Sequence, residues 1–318
     1  MLRQELANAT AEGHPRAQGL ALAAVTGSVL TWGCSNVVIK LVSTTGLVAC
    51  FYRLWFAIPL LWLLPLTIPS MRRRLHGRWR SAALVGGSLF AVHQIFFFNS
   101  LKLTSVANVA IIGALQPVLV LLVARPLFAE RVTRNALGWS VVAVCGTILV
   151  VLGSAGTPHW SPLGDALAVA NLFSFTAYFL ATKRLRTGVG AAEYLLGVTT
   201  VSGLLILVVV LITGQQLSSP RASDWPLLLF LAVFPGSLGH FLTNWAMPRL
   251  AAFLISVILL AVPVISTVGA ALFLHEPLTV LHVIGGTMVL LAIGIIVHSS
   301  PPTAGEELAE SAAETDAP

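Results

Sequence analysis

The chain has 318 residues, of which 57% are hydrophobic and only 9% charged, with a formal net charge of +6 and a mean hydropathy of +0.90. A water-soluble domain carries about 25% charged residues, so the composition excludes a soluble globule and makes lipid the main solvent. The pI of 9.8 does not point to nucleic acid, because the basic residues lie where membrane topology places them.

Residues 1–18 are polar and mixed in charge. They lack the basic-then-apolar layout of a cleaved signal peptide and are expected to stay as a cytoplasmic N-terminal segment. A hydrocarbon core of about 30 Å takes about 20 apolar residues per helix. On that criterion ten spans are expected, at 19–41, 46–68, 81–101, 104–124, 135–153, 164–182, 192–213, 225–246, 250–274 and 280–298. The first carries Trp32, Asn36 and Lys40, and the second carries Arg53 with Pro59 and Pro65. The third has a row of small residues, Ala83, Gly87 and Ala91, followed by His93 and Gln94. Such rows let membrane helices pack closely inside a bundle. The fourth holds Asn108, Gln116 and Pro117, and Glu130 follows it. The sixth repeats the small-residue row with Ala166, Ala170 and Ser174, and adds Asn171 and Tyr178. Pro235, His240 and Asn244 lie in the eighth, Ser256 and Pro263 in the ninth, and Glu276 in the turn before the tenth. Residues 299–318, rich in Pro, Ala and Glu, are expected to form a disordered acidic cytoplasmic tail.

Residues 104–152 and 248–297 are two copies of one pattern. An offset of 146 lays Pro117 on Pro263, Glu130 on Glu276 and Thr133 on Thr279, while an offset of 143 lays Trp32 on Phe175 and Lys40 on Lys183. Five spans per copy is an odd number, so the copies must be inverted. The expected fold is an all-α integral membrane protein of ten transmembrane helices in two inverted five-helix repeats, 19–153 and 164–298. Inverted halves are a common way to build a central transport site. With the N-terminus in the cytoplasm, fourteen of the eighteen Lys and Arg fall in cytoplasmic segments and two outside, with Lys40 and Arg53 inside spans. The positive-inside rule therefore puts both termini in the cytoplasm. The run Met71–Arg80 reads as a topology anchor against anionic lipid.

Polar side chains within spans face the bundle interior or a cavity, because lipid offers them no partner. Trp32, Asn36, His93, Asn108, Gln116, Asn171, Tyr178, His240, Asn244 and Ser256 are the candidate substrate-binding residues. His240 falls on Gln94 at the 146 offset, beside His93, so the two histidines sit at similar depth and are candidates to carry a proton. Pro117 and Pro263 each free a carbonyl one turn back and are candidate gating kinks; Pro59, Pro65 and Pro235 have no matched partner. Arg53, Glu130 and Glu276 are read as structural, the carboxylates complementing the N-terminus of the next helix. No Asp or Glu lies deep in a span, which argues against cationic drugs and favours neutral, zwitterionic or anionic solutes.

No enzyme motif is present. His275-Glu276 lacks the second histidine of a zinc protease helix, and neither G-x-S-x-G nor a phosphate-cradling G-x-x-x-x-G-K occurs. No catalytic residue, metal ligand or cofactor is expected, and transport would run on gradients. Cys34, Cys50 and Cys145 lie in apolar spans and read as small packing residues.

Taken together, these residues resemble the EamA-like branch of the drug/metabolite transporter superfamily. Thr31-Trp32-Gly33 with Lys40, Arg53, the twice-used Pro then Glu then Thr, Gly164-Asp165 and Gly285-Gly286 carry the resemblance over roughly 18–298. The resemblance implies a cavity lined mainly by the first, third, fourth, sixth, eighth and ninth spans. It also implies small metabolites, amino acids among them, as substrates, with export favoured. A non-transporting scaffold or sensor and an intramembrane enzyme are the competing readings; oligomeric state is left open.

Overall fold

A computed structural model describes residues 14–75, 78–130, 132–154, 161–218, 220–273 and 277–299. Glu276, the residues before 14 and the tail beyond 299 lie outside the described residues. Among the described residues, ten helices are long and apolar enough to cross a membrane: Ala17–Leu41, Gly46–Thr67, Trp79–Leu103, Val106–Ala124, Arg134–Gly153, Pro162–Leu185, Ala191–Ile212, Asp224–Ala246, Ala252–Gly269 and Val280–Ser299. They are called spans 1 to 10. An even number of spans leaves the first and last on the same end of the bundle. The connections 2–3, 4–5, 6–7 and 8–9, where most Arg and Lys lie, mark the basic end.

Spans 2, 4 and 6 all start at the opposite end, and each starts on a hydroxyl cap. Thr45, Ser105 and Ser161 accept from the backbone N–H of Val48, Asn108 and Gly164 at 3.4, 3.0 and 3.3 Å. Each cap satisfies one of the donors a helix start leaves open. Within the bundle, small residues set the close approaches. A Cβ on Gly87 would lie 2.6 Å from Val201, and one on Gly197 2.5 Å from Ala83, so the small face of span 3 presses on span 7. Gly146 and Gly285 meet likewise where spans 5 and 10 cross. The matching row in span 6 behaves differently from expectation. Ala166 is exposed and Ala170 and Ser174 only half-buried, while the packed face runs through Gly164, Ala168, Asn171 and Leu172. Asn171 belongs to that face because its partner, His93, sits across the interface.

Four spans depart from a continuous α-helix, and all four reach the centre. Span 1 breaks at Cys34, between His14–Gly33 and Ser35–Leu41. Span 4 ends one helix at Gly113 and begins another at Gln116, and span 9 passes through a 3₁₀ turn, Leu259–Ala261, before a new helix at Val262. Pro117 and Pro263 are therefore not kinks in a continuous helix. Each is the second residue of a new segment, where its missing N–H has no bond to lose. The offset of 146 holds for the break itself, which lays Gln116 on Val262. Span 8 carries a π-helical stretch, Ala232–Gly239, around Pro235.

Candidate functional site: a central cavity between the repeats

Where the broken spans meet, the bundle encloses a cavity of about 170 Å³. Span 1 contributes Trp32, Ser35 and Asn36; span 3 contributes His93, Gln94, Phe97 and Phe98. Gln116 with Gly113 from span 4, Asn171 with Phe175 from span 6, and Pro235 with His240 from span 8 continue the wall, which Ser256, Leu259 and Pro263 of span 9 complete. Gly113 and Leu259 are the residues four before the two matched prolines, so both breaks open onto the cavity. Non-helical backbone at membrane depth is tolerated where it lines such a space. The expected six spans all reach the wall, and Arg53 of span 2 and Thr147 of span 5 join them.

The π-helical stretch of span 8 decides one side of the wall. Within it, the carbonyl of Pro235 accepts from Trp32 Nε1 at 3.0 Å. Gly239 then abuts span 1 so closely that a Cβ would lie 2.4 Å from Trp32 Nε1, and Ser28 donates to its carbonyl at 2.9 Å. His240, the next residue, is held with its ring 4.8 Å from both Trp32 and Phe90. π-Turns are rare and concentrate at functional sites. Across the cavity, His93 Nδ1 and Asn171 Oδ1 are 2.7 Å apart, and Phe175 packs 4.7 Å from the His93 ring.

Three expected cavity residues lie elsewhere. Tyr178 is buried behind the wall, stacked on His93 at 6.2 Å and 4.8 Å from Phe90, whose rings screen it. Asn108 sits in the first turn of span 4, at the end of the bundle, where Asp165 Oδ1 accepts from its amide at 2.9 Å. Asn244 is one turn beyond His240 towards the basic end and is buried in protein. Pro117 also lies off the wall, although Gln116 beside it is in it.

Arg53, read from sequence as structural, is only 4% exposed and faces the cavity. It donates to Gln94 Oε1 and lies over the rings of Phe90 and Phe98 at 5.8 and 5.7 Å. An Arg at the centre of a membrane helix costs about 2.5–3.5 kcal/mol even on insertion scales; Arg53, two turns into its span, has Gln94 and two rings to offset such a cost. Gln116 Nε2 is buried with no hydrogen-bond partner in the same wall. Apart from Trp32, the aromatic part of the lining was not singled out in the sequence, because Phe97 and Phe98 resemble any lipid-facing phenylalanine until the neighbours are known.

Glu130 does cap a helix, but not the next one. Its carboxylate accepts from the N–H groups of Ala252 and Phe253 at 2.7 and 3.2 Å, at the start of span 9 in the other repeat. Lys183 pairs with it at 2.7 Å and also donates to Leu250 O at 2.7 Å. The connection after span 4 folds across the basic end, so the span within reach is the ninth. At the opposite end, Lys40 donates to Thr104 O at 2.6 Å. Offsets of 143 and 146 lay these two residues on Lys183 and Leu250, so the same lysine-to-carbonyl contact recurs at both ends.

Among the described residues, no group of three or more His, Cys, Asp or Glu is placed to hold a metal. The wall offers hydrogen-bond donors, an aromatic surface and one cation, which suits reversible binding of a small solute.

The EamA-like transporter family matches residues 19–152 and 162–298, one copy in each half. The chain is 27% identical over 213 residues to the uncharacterized transporter YyaM of Bacillus subtilis (strain 168), covering 64% of this chain and 68% of that one. It is 23% identical over 220 residues to YetK of the same organism, another uncharacterized transporter, covering 68% and 66%. It is also 26% identical over 188 residues to the aromatic amino acid exporter YddG of Ancylobacter novellus, covering 57% and 63%. The chain thus spans about two thirds of the length of these curated relatives. A crystal structure that is 16% identical overlays with a TM-score of 0.76, covering 89% of this chain and all of the other, a likeness of fold. With both five-span halves matched and the halves enclosing one cavity, the chain belongs to the EamA-like transporter family: it is a multi-pass membrane transporter and not an enzyme.

Proposed function

We propose that the protein is a gradient-driven secondary transporter that exports small neutral or zwitterionic metabolites, amino acids among them. The observation that carries this reading is the polar and aromatic cavity at the meeting of spans 4 and 9, each broken at the same place in its repeat. Half-helix ends at a repeat interface are where secondary transporters bind solutes. The described lining holds no Asp or Glu, which disfavours cationic drugs. Export, and amino acids as the solute, draw support from the similarity to an exporter of aromatic amino acids. A scaffold or sensor has no use for such a cavity.

The clustering of Arg and Lys at one end supports the cell membrane as the location, with both termini in the cytoplasm. His93 and His240, both in the wall, are the groups through which a proton would couple to the solute. Trp32, Asn36, Gln116, Asn171 and Ser256 complete the proposed substrate contacts, with the breaks before Pro117 and Pro263 as the gating elements. The test is flux into liposomes holding the purified protein, across a panel of amino acids. Saturable uptake of at least one is expected, and an Asn36→Ala/His240→Ala double variant should lose it. Unchanged flux in that variant removes these residues from the site, and no saturable flux across the panel removes the amino-acid reading. Termini tagged and found on opposite faces would overturn the inverted arrangement.

A further inference from the structure

The cavity wall holds one positive charge, and among the described residues no carboxylate pairs with it. The ion pairs there are Arg74 with Glu193 and Lys183 with Glu130, both at the basic end. Arg53 has five N–H donors, yet its side-chain acceptor is the single amide oxygen of Gln94. The guanidinium lines the cavity, and on its span 8 side it packs against the backbone of a glycine. A Cβ on Gly236 would lie 3.1 Å from Arg53 Nε and 3.5 Å from Nη2. Gln116 supplies a second unused donor, its buried amide nitrogen. Of the other polar side chains of the wall, His93 is engaged with Asn171, and Trp32 with Pro235. Arg53 and Gln116 together leave donor capacity and one positive charge unmet.

A buried cation without a partner is costly, and a carboxylate with two oxygens is the group whose geometry fits a guanidinium fork. We infer that Arg53 is the substrate anchor: the transported solute carries a carboxylate, which docks on Arg53, while Gln116 donates to the solute from span 4. The inference rests on the transport reading above and narrows it to carboxylate-bearing solutes. It also explains why Arg53 needs no acidic residue beside it, since the solute's carboxylate supplies the counter-charge to the guanidinium. The rings of Trp32, Phe97, Phe98 and Phe175 are left to hold the apolar part.

The test compares three probes on the full-length protein in detergent, by thermal shift: L-phenylalanine, 3-phenylpropionate and L-phenylalaninamide. The first two keep the carboxylate and the third replaces it with a neutral amide. Both carboxylates are expected to raise the melting temperature, and the amide is not. Arg53→Gln should weaken carboxylate binding by about tenfold or more, the loss expected for one charge-assisted contact, with Arg53→Lys recovering part of it. Phenylalaninamide stabilising the wild type as well as phenylalanine does would overturn the inference, as would carboxylate binding unchanged in a folded Arg53→Gln variant or no shift with either carboxylate. If Arg53→Gln does not fold, the wild-type comparison of acid with amide decides alone. Liposome flux separates the two readings: carboxylate-dependent shifts without amino-acid flux would remove the amino-acid reading and leave the anchor standing.

Discussion

The pseudo-two-fold that relates the repeats exchanges the contact between spans 3 and 6 with the contact between spans 8 and 1, and the two have diverged. Offsets of 146 and 143 lay His93 on Gly239 and Asn171 on Ser28. Both position pairs are hydrogen-bonded. In one interface two side chains meet, His93 with Asn171 at 2.7 Å. In the other the Ser28 hydroxyl donates to the backbone carbonyl of Gly239 at 2.9 Å. The first interface joins two continuous α-helices, and the second joins a broken span to a π-helical one. Symmetry thus fixes where the halves touch, while residue size fixes how. A glycine lets a side chain of the facing span reach the backbone itself, whereas an imidazole meets its partner side chain to side chain. The irregular interface is also the one that delivers Trp32, Pro235 and His240 to the cavity.

The largest expected effect lies at the basic end, when Lys183–Glu130 there is compared with Lys40–Thr104 at the opposite end. Glu130→Ala strips Lys183 of its carboxylate and uncaps span 9. Losing one partner of such a pair costs about 3 kcal/mol, less where water reaches it, read as a lower melting temperature in detergent. Lys40→Met, which removes only a lysine-to-carbonyl contact, should cost about half as much. Equal losses would mean that the two ends are built alike.

Gly239→Val comes next. Its Cβ would clash with Trp32 and Thr31, and overpacking of this kind costs about 1–3 kcal/mol. The matched substitution His93→Val opens space instead, so it should lower stability less and flux more. A tolerated Gly239→Val would show that spans 8 and 1 do not depend on backbone contact. Asn171→Leu leaves the His93 nitrogen without its partner and should cost about 1–2 kcal/mol, whereas Ser28→Ala, across the mirrored interface, should cost about 1 kcal/mol or less. The smallest change has the opposite sign. Gln116→Leu removes a buried amide nitrogen that has no partner, so stability should stay level or rise by about 1 kcal/mol while solute binding falls. A stability loss there would mean that the amide is satisfied within the protein.

Much of this was legible from residue order. Span length, the 146-residue echo of Pro117 and Glu130, and the places of Trp32, Asn36, His93, Gln116, Asn171, His240 and Ser256 follow from polarity within apolar runs, since lipid offers such groups nothing. Tyr178 and Asn244 obey the same rule and are buried too, but against protein; polarity says that a residue avoids lipid and not which interior surface it meets. Asn108 was drawn off by Asp165, a partner 57 residues away.

The sequence by itself determined the solvent, the ten spans, the duplication and, through an odd number of spans per copy, the inversion, because each depends on local hydrophobicity and counting. Only the tertiary structure decided that Glu130 caps a helix of the other repeat, that the matched prolines begin new helices, that span 8 winds into a π-turn against Trp32, and that Arg53 faces the cavity. Those outcomes depend on which backbone or side chain lies across a gap of a few ångströms, and that is set by packing between segments far apart in the chain.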